Sequence, residues 1–470
     1  MKRTLLGGAA AVLIAYLFIS WRLGFSIEKQ SNEPLQQIKG SSPYVEVVSN
    51  TFRRGWFVSE QDLTIGLFRN LPGASAAAPP FFAPIQIRFH NVIWHGPICG
   101  LTCIGLARVR THTSFDPPLQ GYLSSVFGSA EPLLIESRMG FGGGGSATVS
   151  SPAIKDAALS NGAHIAWGGF ELKSEFARDY DSYSLHGSMP KLSYASVDGN
   201  LEFDDVDLVA HSKRALRTLF EGESNFVVGR ISVSSAKAGG GVFNNVRGSY
   251  ASAVNNGYMD ISDKISVGAI TASSLNFSGA HFDFSLNHLD ADSLEQLSAA
   301  ARQVNQDVSG PPEQRSARLM AAIKKPGIVL LSHGAQFALE RFSIASSSGE
   351  ASVSGTVTLT GVAESDFEAG ADPKAMLQRL DAILDMSIDD AFLNGLPNGT
   401  KLTAQMQSFA DQGLATHVNG KFHTKIAFHQ GMTTFDGKSL SRPAPPPTPP
   451  PPTPPPPTPP PPTPPPAPHR

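Results

Sequence analysis

The chain is poor in cysteine and in charge. Two cysteines occur in 470 residues, which excludes a disulfide-built scaffold and most structural zinc arrangements. Charged residues make up 16%, below the usual ~25%; glycine, serine, alanine, threonine and asparagine fill the gap. The 37 basic and 40 acidic residues leave a net charge of −3, so no surface for nucleic acid is indicated. No G-x-S-x-G elbow, H-E-x-x-H or paired C-x-x-C occurs, and with them go the usual marks of a serine hydrolase, a metalloprotease and a zinc ribbon. The run "FGGGGS" (141–146) lacks the ending of a phosphate loop and reads as a hairpin turn. "DDVD" (204–207) and "DAD" (290–292) carry calcium-type ligands without an EF-hand loop; Asp292 reads more simply as a helix N-cap. No cofactor is expected.

Charge is also absent between Arg3 and Arg22. That interval, with Leu5, Leu6, Val12, Leu13, Ile14, Leu17, Phe18 and Ile19 as its large apolar members, approaches the length of a membrane-spanning helix. A small-x-small cleavage site is missing after Phe18. Residues 1–25 are therefore expected to be an uncleaved signal anchor, a transmembrane helix with Lys2 and Arg3 on the cytoplasmic side. The bulk of the chain then lies outside the cytoplasm. A short juxtamembrane helix is expected to end near Gly40.

Periodicity supplies the rest. In "IQIRFHNVIW", Ile85, Ile87 and Phe89 share one face of an extended strand, and Gln86, Arg88 and His90 the other. Segments of this kind recur from residue 56 to beyond 430, with turn residues about every ten positions. The fold class is β-rich α+β: a long, curved, many-stranded antiparallel sheet over residues 26–440, with a few packed helices. Helices are expected at 290–306 and 314–325 and again at 372–396. "GIVLLSHG" (327–334) reads as the return to strand, and 413–440 as a final strand pair. From residue 441 the chain is almost pure proline with threonine every fifth position. It cannot build a ladder or a core, and is expected to be a disordered polyproline II tail.

The best-defined motif is His95-Gly96-Pro97, at the end of an apolar strand. A functional reading makes His95 a general base or metal ligand. No second ligand stands at a useful spacing, since His90 falls on the opposite strand face. The simpler reading is a structural turn, with Gly96 free in φ, Pro97 ending the ladder and the imidazole bonded to a nearby carbonyl. Cys99 and Cys103 would lie ~13 Å apart in a straight strand and near 6 Å in a tight loop. "CGLTC" permits the loop, and outside the cytoplasm a disulfide is expected; two buried thiols are the alternative.

Several patterns occur in order: "FRRGWFVSE" (52–60), "VIWHGP" (92–97), "WGGFELKSEF" (167–176), the block from "KKPGIVLLSHG" through "SVSGTVTL", and "GLATHVNGKFHTKIAFHQGMTTFDGK" (413–438). With the N-terminal anchor, this set resembles the YdgA/YihF-type family of bacterial envelope proteins, a domain of unknown function. The resemblance covers roughly residues 1–440. It implies an inner-membrane protein with its bulk in the periplasm and no established enzymatic activity. The chain departs from the family pattern at Cys99 and Cys103, at Asp436 where asparagine is expected, and in the proline tail. The expected function is a non-enzymatic structural or interaction module of the envelope. The alternatives are a groove for an envelope lipid and a hydrolase built on His95. A protein partner is possible, and the tail could meet a proline-binding partner or the cell wall.

Overall fold

The computed structural model describes residues 19–29, 35, 45–67, 84–100, 103–159, 161–237, 239–273, 275–306, 312–367 and 377–439. The expected membrane anchor lies outside these residues except for its end; residues 19–29 are helical (α1). The proline tail, 441–470, and most of the expected juxtamembrane helix also lie outside them. Among the described residues, no helix is long and apolar enough to cross a membrane.

The protein is mostly β. The first strands are β1 (Val45–Arg53), β2 (Val58–Leu67) and β3 (Ile85–His95), then a two-stranded ribbon, β4 (Ile98–Cys99) and β5 (Cys103–Ile104). Next come β6 (Ala107–Phe115), helix α2 (Pro117–Phe127), β7 (Leu134–Met139), β8 (Gly145–Ser151), β9 (Ile154–Ala158), β10 (His164–Trp167) and β11 (Phe170–Phe176). The longest strands follow: β12 (Ser182–Ser196), β13 (Gly199–Arg214), β14 (Phe220–Ser235), β15 (Gly239–Asn255) and β16 (Tyr258–Ala272). After β17 (Leu275–Phe277) and β18 (Gly279–Asp290) comes a helical hairpin, α3 (Ala291–Gln306) and α4 (Pro312–Ser332). The chain closes with β19 (Gln336–Ser346), β20 (Gly349–Leu359), β21 (Leu380–Asp389), helices α5 (Asp390–Asn394) and α6 (Gly399–Asp411), and four short strands, β22 (Thr416–Val418), β23 (Lys421–His429), β24 (Met432–Phe435) and β25 (Lys438–Ser439). All but β4 and β5 join one 23-stranded sheet. Every pairing in it is antiparallel.

Strict alternation puts one apolar face on this meander, but the five long strands β12–β16 break the alternation once, β12 at Pro190. In β13 the apolar residues run Leu201, Phe203, Val206, Leu208. Asp205 makes no ladder pair and takes φ 53°; the register is the same on either side of it, so the strand kinks there without an inserted residue and Val206 returns to the face of Phe203. Gly229, Asn245 and Gly268 stand at the same level of β14, β15 and β16. The irregularity therefore crosses the sheet as a line, and the apolar face survives it.

Several expectations are corrected. The segment 372–396 was expected to be helical, yet Leu380–Asp389 is a strand. Its apolar residues fit both periods, and pairing with β20 on one side and β23 on the other decides for extension. "GIVLLS" belongs to α4, not to a strand; a short apolar run of this kind has no period of its own. Helix α3 is capped by Asp290, whose Oδ1 accepts the Ser293 N–H at 2.8 Å, so the cap is not Asp292. The C-terminal segment forms four short strands, not two, and helices α2 and α6 were not expected, although Asp116 followed by Pro117 at the first helical position is a helix-start signal.

Candidate functional site

The turn at His95 is built by packing from three directions. α1 lies across the ends of β3 and β6, where Ile27 is buried with Ile93, Leu106 and Ala107, and Leu23, Phe52, Val109 and Met139 pack around them. Fully burying one such aliphatic side chain is worth about 1.5–3 kcal/mol. The Ser20 hydroxyl donates to the Gly96 carbonyl at 2.6 Å. Gly24 of α1 packs against the imidazole so closely that a Cβ there would stand 2.9 Å from its Cε1. The Gly96–Pro97 peptide is cis, and a Cβ on Gly96 would lie 1.8 Å from the Gly105 carbonyl oxygen.

His95 is 2% exposed. Its Nδ1 is 3.2 Å from the Trp56 carbonyl and its Nε2 2.8 Å from Ser59 Oγ. A carbonyl only accepts, so Nδ1 carries the proton and Nε2 accepts the Ser59 hydroxyl proton. Burial pushes the His95 pKa below its ordinary value, and the nearby Arg54 charge adds to this, against the bond to the Trp56 carbonyl. A neutral imidazole holding a serine hydroxyl is the geometry a nucleophile needs. Here both groups are sealed, for Ser59 is also buried. Nothing in the sequence tied Ser59 to His95 across 36 positions; only the β2–β3 register does. His90 lies on the other face, against Asp62. Cys99 and Cys103 form a disulfide that closes the β4–β5 ribbon, with Cα atoms 5.1 Å apart. "FGGGGS" turns β7 into β8. Asp204 and Asp207 engage Lys191 and His186, and no group of potential metal ligands exists among the described residues.

A second feature was not legible as a motif. Residues paired directly across antiparallel strands share a face. One such row runs Ile135, Val149, Leu172, Gly187, Leu208, Phe226, Gly248, Ile265, Phe282, Phe342, Val353, Met386. It crosses twelve strands without a polar side chain, about 53 Å at the usual ~4.8 Å per strand. Phe226, Phe282 and Phe342 in it are 37%, 40% and 51% exposed. Gly248 lets the Phe226 ring lie down over the sheet, since a Cβ there would stand 2.0 Å from the ring. The adjacent row on the other face reads Ser188, Asp207, Val227, Arg247, Ser266, His281, Ser343, Ser352, Ser387, His423. The two faces are thus chemically opposite.

Among the described residues, helices stand over the two ends of the apolar row, while Phe226, Phe282 and Phe342 between them stay more than a third exposed. α1 sits at the N-terminal end. α6 stands over the C-terminal end, above a partly open cavity of about 250 Å³ between it and Met386, Phe422 and Ile426. A broader depression of about 1190 Å³ lies near the ends of β11–β15 and is mixed in character, with Glu175, His211, Lys213 and Glu221 beside Phe176 and Tyr183.

Residues 1–443 match the family described as "Bacterial protein of unknown function (DUF945)", and the chain belongs to that family. No curated protein and no solved structure matches it.

Proposed function

We propose that this chain is a non-enzymatic bacterial envelope protein whose apolar sheet face carries an alkyl chain of a lipid. The observation that supports this reading is the unbroken apolar row from Ile135 to Met386, with its middle phenylalanines left in solvent. A contiguous exposed apolar strip on a folded protein marks a binding surface. The next row on the same face, from Met189 through Val228 and Val267 to Ile388, is apolar too, so the strip is a few residues wide and tens of ångströms long, a shape that matches a linear hydrocarbon along its length. Within the family, the ordered motifs at 52–60, 92–97 and 413–438 favour a YdgA/YihF-type protein, with residues 1–25 as an inner-membrane anchor, 26–440 as a long curved periplasmic sheet and 441–470 as an extended tail. α1 continues directly from the apolar segment, so the anchor would set the N-terminal end of the row beside the membrane. The hydrolase reading fares worse, because Ser59 and His95 offer no entry for a substrate.

The test is photo-crosslinking in the native membrane. Benzoylphenylalanine is placed at Phe342, on the apolar row, or at Arg247, an exposed position on the opposite face. The proposal expects a lipid adduct at 342 and none at 247. Equal labelling at both sites, or a protein adduct alone at 342, would sink it.

A further inference from the structure

The geometry points to the cavity beneath α6 as the seat for the methyl end of that alkyl chain. This inference rests on the proposal that the row carries hydrocarbon, and adds where the chain stops. Met386 ends the row and also lines the cavity, and Ile388, next along the same face of β21, lines it too. The row therefore leads into the cavity without a polar break.

The chemistry inside selects hydrocarbon. Met406 and Phe409 reach it from α6, and Phe422 closes its floor. The one hydroxyl in the lining is occupied, since Thr424 Oγ1 donates to the Leu414 carbonyl at 2.6 Å. The His423 ring is bonded to Asp385 at 3.0 Å. With no polar atom left to hold it, water gains nothing by entering, and dry apolar cavities of ~150 Å³ already accept small hydrocarbons. At about 250 Å³ the space is larger than that. Methionine at two positions gives a wall that adapts to a flexible chain. Phe409, 47% exposed, stands at the mouth. The ligand class is therefore an alkyl chain entered methyl end first.

Full-length protein in phosphatidylcholine nanodiscs is exposed to palmitate carrying a diazirine at the methyl end or beside the carboxyl group. After irradiation the labelled peptides are mapped. The methyl-end probe is expected to label the α6 and β23 peptides. The carboxyl-end probe is expected to label β18 and β19, around Phe282 and Phe342, and to leave α6 unlabelled. Ala415→Phe, which fills the cavity, should abolish methyl-end labelling of α6; Met406→Leu, which conserves volume, should retain it and shows that the helix tolerates change. If both probes label the sheet and neither labels α6, the cavity inference is wrong and the row reading stands. If neither probe labels the protein, the row reading falls as well.

Discussion

The two ends of one ladder row show what coverage does to a sheet. Before the row becomes apolar at Ile135, it passes through Gln61, Asn91 and Thr111, which pair directly across β2, β3 and β6. There the side chains bond one another: Asn91 donates to Gln61 at 3.0 Å, and Thr111 to Asn91 at 2.5 Å. Gln61 and Thr111 are buried. Further along, the same row is Phe226, Phe282 and Phe342, all more than a third exposed. The covered end thus holds Gln61, Asn91 and Thr111 in a network of side-chain hydrogen bonds. The open middle holds apolar groups in water. This inversion is the opposite of what a folding core alone would select, and it is what the proposed alkyl-chain surface requires of the open middle.

Four outcomes test the contrast, from the strongest expected effect to the weakest. Gly96→Val places its Cβ against the Gly105 carbonyl, and the cost should exceed about 4 kcal/mol. Soluble folded protein should not accumulate; a variant that melts within a few degrees of the parent would contradict the packing described for this turn.

Next is His95→Ala, which strands the Trp56 carbonyl and reorients Ser59, for about 1–3 kcal/mol. The pH dependence is more telling. His95 is held neutral with a lowered pKa. As pH falls through the ordinary histidine value of ~6.5, the unfolded chain takes a proton and the folded chain does not. Bound protons in the unfolded state then exceed those in the native state, so stability decreases with falling pH. Thermal melts from pH 8 to pH 5 should show a destabilisation that is smaller in His95→Ala. Parallel slopes for the two proteins would remove His95 as the cause.

Reducing Cys99–Cys103 ranks third. The bridge closes a loop of about five residues, which corresponds to about 2 kcal/mol of unfolded-chain entropy. Melting with and without reductant measures it, and a loss well above this figure would mean that the ribbon, not the loop, depends on the bond.

The smallest effect belongs to the open region. Ile93→Ala at the covered end should cost about 2–5 kcal/mol, as buried aliphatic truncations do. Phe342→Ala should cost less than about 1 kcal/mol because half the ring already faces solvent. It should nevertheless weaken alkyl-chain labelling at the row. Equal stability losses at the two sites would erase the distinction between a stabilising end and a binding middle.

Much of the sheet could be read before any coordinates. The alternation in Ile85, Ile87 and Phe89 defines β3, and the helix 290–306 is present as α3 with its boundary shifted by one residue. The segment 380–389 could not be read, because Leu380, Leu384 and Ile388 satisfy both a helical and an extended period. Neighbouring strands chose between them. The His95 turn was visible as a motif, but Ser59, Ser20 and Gly24 were not, since each meets His95 or Gly96 from a distant part of the chain.

Local pattern therefore determined that this chain is a many-stranded β protein with an apolar start, a proline-rich end and one face more apolar than the other. A period-two sequence carries that information within each strand. Register is not a local property. It depends on which strands become neighbours, and one residue of slip would exchange the two faces. Only the tertiary structure aligned twelve apolar residues from twelve strands into one line, placed α1 and α6 at its ends, and left the phenylalanines between them uncovered.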